Sequence, residues 1–229
     1  MGFTGIRLSF GHPMSAPRLD EDADLILGSG SPRRLELCQR LGWTVQVVVA
    51  DVPEEAHDDE SPTDYAERLA AEKATDVAEQ LRDAAPTPRW ILSADTIVEL
   101  EDRILEKPAD ADEAARMLSE MSGRQHSVLT SYCLFDRENS SHVVQTVYTG
   151  VQFRELSDEL IERYVATGEP MDKSGSYGIQ DFGSLLVDEL HGSYFNVMGL
   201  PVSHLAETLE TMDLRSLHPL LRRHEQQYA

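Results

Sequence analysis

Basic residues are scarce in this sequence of 229 residues. Lysine and arginine together number 20 against 41 aspartates and glutamates, and the formal net charge is −21 at pH 7. Such a surface repels the phosphate backbone, so the composition argues against a nucleic-acid partner, which normally requires a basic footprint. Two explanations of the acidity are open. We favour adaptation to a salt-rich host, and a generally acidic protein is the alternative.

Lysine is the rarest of the charged residues. It occurs only at Lys73, Lys107 and Lys173. If surface lysines have been discarded, the ones that remain are candidates for specific tasks. We therefore expect these three side chains to serve a binding or catalytic site.

Cysteines are few and long apolar segments are missing. Cys38 and Cys133 lie far apart in the sequence, and we interpret them as small core residues rather than a disulfide pair. No apolar run approaches the length of a membrane span, and residues 1–23 lack the continuous apolar core of a signal peptide. These absences predict a cytoplasmic protein with no membrane partner.

The common phosphate-binding loops are absent too, since neither GxxxxGK[ST] nor GxGxxG occurs. Instead "GSGSPRR", residues 28–34, follows the apolar "DLIL". Ser31 predicts a helix N-cap and Pro32 its first position. Arg33 and Arg34 then stand where positive charge weakens a helix. Two interpretations are open: the arginines and the helix N-terminus converge on a polyanion such as a triphosphate, or the arginines pair with surface carboxylates.

The hydrophobic pattern predicts an α/β protein with a mixed central sheet flanked by helices. The predicted strands are "DLIL", "TVQVVVA", "RWILSADTIVEL", "HSVLTSYCLFD", "HVVQTVYTGVQF" and "GSLLVDEL". The fourth and fifth are expected to be antiparallel neighbours. Because strands and helices do not alternate strictly, a mixed sheet fits better than a purely parallel one.

A second cluster combines carboxylates with lysines. "SADTIVEL" places Asp95 and Thr96 inside an apolar strand, where a carboxylate is costly unless it meets a metal, a proton or a hydrogen-bond partner. Such a pair is by itself more often structural than catalytic. Glu54 follows another predicted strand, Lys73 lies in a long helix, and Lys107 follows the Asp95 strand. Because carboxylates hold Mg²⁺ or Mn²⁺ and lysines neutralise phosphate oxygens, the set indicates a phosphate-ester or phosphoanhydride site.

A third cluster, residues 168–201, is rich in glycine, aromatic residues and amides. Its backbone can approach a ligand closely, and its Asn and Gln side chains can read the edge of a base. The alternative is an irregular loop under the sheet, with Tyr177, Tyr194 and Phe195 in the core.

Five segments together closely resemble the Maf family of nucleoside triphosphate pyrophosphatases in order and spacing. They are "SGSPRR", "RLAAEKA", "SADTIV", "EKPADADEAARMLSEMSGRQHSV" and "EPMDKSGSYGIQ…NVMGLP". The resemblance implies a fold related to the inosine triphosphatases, with a cleft between two lobes. It also implies a divalent cation, Mg²⁺ or Mn²⁺, a homodimer, and hydrolysis of the α–β phosphoanhydride of a nucleoside triphosphate to the monophosphate and pyrophosphate.

The resemblance extends to individual residues. Arg33, Thr96 and Gln180 match the family members that act on dTTP and UTP, and the Gln180 amide suits the imide edge of uracil or thymine. A branch that acts on methylated guanosine triphosphate typically has Trp in place of the first arginine. Asp95 is implied as the proton acceptor, and Glu54 with Asp95 as the metal ligands. The groups implied to bind phosphate are Ser31, Arg34, Lys73 and Lys107.

The predicted organisation has three parts. These are a flexible N-terminal extension over 1–23, a pyrophosphatase domain over 24–211 and a C-terminal tail over 212–229. Three other functions stay open: a regulator of cell division with little catalysis, a pyrophosphatase of methylated guanosine triphosphate, and a simple phosphatase. Metal-dependent release of pyrophosphate distinguishes the predicted enzyme from the first and the third, and a panel of substrates distinguishes it from the second.

Overall fold

The structure, a computed structural model, describes residues 19–20, 22–57 and 60–221. The predicted flexible extension therefore falls mostly on residues outside the described part, namely 1–18 and 21. Within the described ranges, no helix has the length and apolar character needed to cross a membrane.

A mixed sheet forms the centre of the molecule. Its strands are β1 (Leu25–Leu27), β2 (Val45–Val47), β3 (Trp90–Leu100), β4 (Arg103–Leu105), β5 (Gln125–Asp136), β6 (Ser141–Phe153) and β7 (Val187–His191). The order is β2-β1-β3-β5-β6-β7, with β4 paired to β3. β1 runs parallel to β2 and β3, and the other pairs are antiparallel. The mixed sheet and the predicted antiparallel pair, now β5 and β6, are confirmed.

Helices cover the sheet. They are α1 (Pro32–Arg40), α2 (Pro62–Gln80), α3 (Ala111–Met121), α4 (Asp158–Val165), α5 (Tyr194–Val197) and α6 (Val202–Thr211). Three short 3₁₀ helices, Glu169–Asp172, Ser174–Ser176 and Asp181–Leu186, lie between α4 and β7. Ser31 caps α1 and Ser61 caps α2 through their side-chain oxygens. Ser31 was predicted for this role.

Two predicted strands are shorter than the sequence pattern suggested. "TVQVVVA" contributes only β2, and the chain from Val48 to Glu55 is irregular. The first half of "GSLLVDEL", residues 183–186, is 3₁₀ helix, and β7 begins only at Val187. Its first residues are drawn away from the sheet because the Phe182 and Gly183 amides donate to Glu169.

The long helix α2 positions the site. Its buried face, which includes Ala66, Leu69, Ala70 and Ala74, packs against β3 and β5. Ser93 on β3 donates a hydrogen bond to the carbonyl of Ala70 at 2.6 Å. Side chains alternate along a strand, so Asp95 points to the same side as Ser93 and meets α2, while Thr96 points to the other side.

The two cysteines are core residues, as predicted. Cys38 and Cys133 are unpaired and buried. Burial raises the pKa of both thiols to about 12. They are therefore protonated at neutral pH and chemically quiet.

The acidic surface leads to a prediction about salt. We expect the melting temperature to rise from low salt to about 1 M KCl, because added ions screen the self-repulsion of a chain with net charge −21. Exposed ion pairs such as Arg163–Glu159 are screened as well, but such pairs contribute little. Thermal melts across a KCl series measure the effect. A flat or falling melting temperature would contradict salt adaptation.

Candidate active site

One large cleft, of about 1080 Å³, opens beside the carboxyl end of β1. The N-terminus of α1, one face of α2, the middle of β3 and the irregular segment 169–181 line it. The predicted phosphate, specificity and metal residues all line this cleft: Ser31, Arg33, Arg34, Glu54, Lys73, Asp95, Thr96, Lys107 and Gln180. The fold thus brings together residues from six separate segments of the sequence.

Alternating charges form the centre of the cleft. The Lys73 Nζ donates to Asp95 Oδ1 at 2.6 Å and to Glu54 Oε1 at 2.6 Å. Lys107 Nζ donates to Glu54 Oε2 at 2.9 Å. The Lys73 and Asp95 side chains are only 12% and 11% exposed, so this pair is shielded from solvent and strongly coupled.

Both ammonium groups act on Glu54. Partial burial opposes ionisation of this carboxyl group, but hydrogen bonds and charge from Lys73 and Lys107 outweigh burial and lower its pKa to about 2. Glu54 is therefore a carboxylate throughout the neutral range. Its negative charge keeps the two lysine side chains directed into the cleft.

A Glu54→Gln variant is expected to be less stable than the parent protein by an amount that shrinks in acid. Because the folded-state pKa is depressed to about 2, the contribution of this carboxylate is full above its unfolded pKa and is lost as the pH falls toward 2. Melting curves of the two proteins from about pH 7 to about pH 3 should therefore converge. Glu159→Gln, which removes an exposed partner of Arg163, is the control and should change little at any pH. A difference that stays constant or widens in acid would contradict the charge assignment.

The donor set suits a hard divalent cation. Glu54 and Asp95 each place a carboxylate oxygen 2.6 Å from the same Lys73 nitrogen, so the two oxygens already flank one positive centre. Mg²⁺ is commonly bound by one or two carboxylates together with water and substrate phosphates. In the described part of the chain, no group of three or more His, Cys, Asp or Glu side chains forms a metal cage. The pair therefore fits a metal that shares its coordination with the substrate.

Arg34 is built into the wall of the cleft. Its Nε donates to the Gly199 carbonyl at 2.8 Å, NH1 to Ser29 Oγ at 3.0 Å and NH2 to Thr96 Oγ1 at 2.9 Å. Burial lowers the pKa of the guanidinium, and the negative charge of Asp95 opposes that effect. The guanidinium has five N–H donors, so these three bonds leave one on NH1 and one on NH2 for a phosphate.

Thr96 links Arg34 to a second threonine and so extends the hydrogen-bond network away from the cleft. Its Oγ1 lies 2.9 Å from Thr130 Oγ1, and Thr130 donates to the Asn196 carbonyl at 2.8 Å. Because the single Thr130 hydrogen is used on Asn196, the Thr96 hydrogen is donated to Thr130. Thr96 thus has no hydrogen left for a substrate in this arrangement, and it holds the end of Arg34 in place.

The other predicted residues occupy the rim. Arg33 and Gln180 are half-buried on the cleft wall, and the positive charge of Arg33 acts on Asp172. Ser31 combines its capping bond from the Arg34 amide, at 3.4 Å, with a place in the cleft. Both arginines line the cleft, but Arg34 is held there by three side-chain hydrogen bonds to Ser29, Thr96 and Gly199.

Lys173 was expected at a site from the scarcity of lysine, but two hydroxyl residues of the site were not predicted. Lys173 lines the cleft and donates to the Glu169 carbonyl at 2.5 Å and to Asp172 at 2.6 Å. Ser29 and Thr130 support Arg34 and Thr96. The scarcity of lysine was a usable signal for Lys173, but the sequence holds no comparable signal for the two hydroxyl residues.

Two similar proteins are dTTP/UTP pyrophosphatases. That of Syntrophotalea carbinolica is 43% identical over 200 residues, 87% of this chain and 89% of that protein. That of Geobacter metallireducens is 43% identical over 194 residues, 85% of this chain and 98% of that protein.

Similar solved structures are more distant. The Staphylococcus aureus Ham1 protein aligns with a TM-score of 0.49 and 12% identity, over 82% of this chain and 98% of that one. The model of the Maf family, described as Maf-like protein, matches residues 24–212. That match covers most of the sequence, and the chain belongs to the Maf family.

Proposed function

We propose that this protein is a nucleoside triphosphate pyrophosphatase that prefers dTTP and UTP. The observation that carries the proposal is the alternation of Asp95, Lys73, Glu54 and Lys107 across a cleft large enough for a nucleotide. Similar proteins bear that activity in their names. Arg33, Thr96 and Gln180, which the family resemblance associates with pyrimidine substrates, line the same cleft.

The reaction is an in-line displacement at the α-phosphorus. A water oxygen forms the new bond to phosphorus, the bond to the bridging oxygen of pyrophosphate breaks, and the water proton passes to the Asp95 carboxylate. Lys73 holds Asp95 by its Oδ1 and so orients the carboxylate. Lys73, Lys107, the remaining Arg34 donors and the N-terminus of α1 stabilise the charge that develops on the phosphate oxygens.

A divalent cation, Mg²⁺ or Mn²⁺, is part of the proposal. Glu54 and Asp95 are the residues that would hold it, together with phosphate oxygens of the substrate. When bound, the cation neutralises phosphate charge and makes pyrophosphate a better leaving group. Ser31, at the cap of α1, remains the proposed hydroxyl contact to phosphate.

Base recognition is assigned to Arg33 and Gln180. An amide offers one donor and one acceptor direction, which matches the imide N–H and carbonyl of uracil and thymine. Thr96 contributes indirectly by holding Arg34 at 2.9 Å. We also propose that the protein works in the cytoplasm as a homodimer, without nucleic-acid or membrane partners; light scattering of the purified protein measures the subunit number.

A substrate panel resolved by product tests the proposed function. Purified protein is given dTTP, UTP, CTP, ATP, GTP and 7-methyl-GTP with Mg²⁺, with Mn²⁺ and with a chelator. We expect pyrophosphate and monophosphate from dTTP and UTP, and no turnover with the chelator. Orthophosphate as the first product would indicate a simple phosphatase, and preference for 7-methyl-GTP would overturn the assigned specificity.

A further inference from the structure

The segment that carries Gln180 closes on itself. We call residues Gly178–Gly183 the Gln180 loop. A Cβ atom built on Gly183 would lie 2.0 Å from the carbonyl oxygen of Gly178, so the two ends of the loop touch through their backbones. This close approach explains why Gly183 lacks a side chain.

A tyrosine and a glutamate hold both ends of this loop. Tyr164 OH accepts a hydrogen bond from the Gly178 amide at 3.2 Å, and the same hydroxyl donates to Glu169 Oε1 at 3.0 Å. Glu169 Oε1 also accepts from the Gly183 amide at 3.1 Å, and Oε2 accepts from the Phe182 amide at 3.1 Å. The Tyr164–Glu169 pair therefore joins the start and the end of the Gln180 loop.

Apolar packing does little to hold the outer side of the loop. Phe182 is 60% exposed, and Leu185 just beyond it is 58% exposed. Hydrogen bonds that a carboxylate accepts are stronger than neutral ones. Ile179 anchors the inner side of the loop in the core. The Tyr164–Glu169 pair fixes the two ends of the loop and so sets the position of its Gln180 side chain in the cleft.

We infer that Tyr164 and Glu169 are positioning residues that set the base discrimination of the site by fixing the Gln180 loop. This inference rests on the proposed function, in which Gln180 reads the pyrimidine. Neither residue acts on the phosphates, because their bonds go to the loop backbone and to each other. Their loss should consequently weaken recognition of the base more than it slows the chemical step.

Two variants test the inference, each with the hydrogen bonds altered and the size of the side chain kept. Tyr164→Phe removes the hydroxyl, and Glu169→Gln removes the charge and presents an amide to the loop N–H groups. The matched control is Tyr132→Phe, which removes another buried tyrosine hydroxyl, bonded to Thr208 Oγ1 at 2.8 Å and outside the cleft. Melting curves verify that each protein is folded.

For both variants we expect kcat/KM for dTTP to fall about tenfold, mainly through a higher KM, since a hydrogen-bond network to a charged group is lost. The kcat/KM for ATP should change much less. The dTTP/ATP ratio, which is kcat/KM for dTTP divided by kcat/KM for ATP, therefore drops. Tyr132→Phe should keep the ratio of the parent protein. Because Tyr164→Phe removes a single oxygen, it remains a test if Glu169→Gln fails to fold.

An unchanged dTTP/ATP ratio in folded Tyr164→Phe would overturn the inference, as would an equal loss on both nucleotides through kcat. Gln180→Ala separates this failure from failure of the proposed function. If Gln180→Ala lowers the ratio and Tyr164→Phe does not, only the positioning inference is wrong. If Gln180→Ala leaves the ratio unchanged, the assigned base recognition itself is wrong.

Discussion

An Asp95→Asn variant is expected to fold and to lose turnover by about 100-fold or more, the scale of general-base catalysis. The amide keeps the shape of the carboxylate but cannot accept the water proton. Asp95 lies in the middle of β3, which is hydrogen-bonded to β1, β4 and β5, so its backbone is held firmly. Initial rates of pyrophosphate release from dTTP measure the loss.

The substitution also has a cost in stability. Lys73 keeps its bond to Glu54 but faces an uncharged amide on the other side. Because removing one partner of a buried ion pair leaves a charge poorly compensated, we expect a lower melting temperature. Turnover must therefore be measured well below the melting transition of the variant.

Asp136→Asn is the matched control. Asp136 is a buried carboxylate on β5 that pairs with Arg89 at 2.5 Å, and it does not line the cleft. Its loss should destabilise the protein and leave kcat within about twofold, because a residue remote from the reacting atoms contributes packing rather than catalysis. Near-normal turnover in folded Asp95→Asn, or an equal loss in Asp136→Asn, would remove Asp95 from its proposed role.

Local chemistry explains what the sequence could predict. The Ser31 cap depends on residues within one helical turn, and the β5–β6 pairing depends on two long adjacent strands. Asp95 and Lys73 were predicted for one phosphate site because a buried carboxylate requires a partner and lysines neutralise phosphate oxygens, but their direct ion pair was not predicted. Family resemblance then assigned the chemistry.

Long-range polar contacts explain what the sequence could not predict. The Arg34 guanidinium bonds to Thr96 and to Gly199, which lie 62 and 165 positions further along the chain, and no local pattern encodes such pairs. Likewise, "GSLLVDEL" carries the apolar character of a strand, yet Glu169 accepts hydrogen bonds from the amide of its first residue, Gly183, and from that of Phe182 just before it. Tertiary hydrogen bonds override the local preference there.

Substitutions of the two adjacent arginines are expected to change catalytic activity in different ways. Arg33→Trp should lower kcat/KM on dTTP and UTP more than on ATP and GTP, because Arg33 faces the cavity and a specificity contact acts on the difference between substrates. Arg34→Ala should lower kcat/KM on all four nucleotides by about 100-fold. It removes a hydrogen-bond donor to the phosphates, and it also removes the donor that Ser29, Thr96 and Gly199 share. Arg82→Ala, which removes an exposed partner of Glu79, is the control and should change neither kcat/KM nor the preference among the four nucleotides.

Arg34→Lys distinguishes the charge of this residue from its geometry. An ammonium retains the positive charge, but it cannot reproduce three bonds in the directions of a planar guanidinium. If attraction of phosphate were the whole role of Arg34, lysine would restore most of the activity lost in Arg34→Ala. Because the guanidinium also holds Thr96 at 2.9 Å and Gly199 at 2.8 Å, we expect lysine to restore only a small part of the kcat/KM that Arg34→Ala loses on each of the four nucleotides. Full rescue by lysine would show that the bonds inside the protein are incidental, and that the arginine serves the phosphates alone.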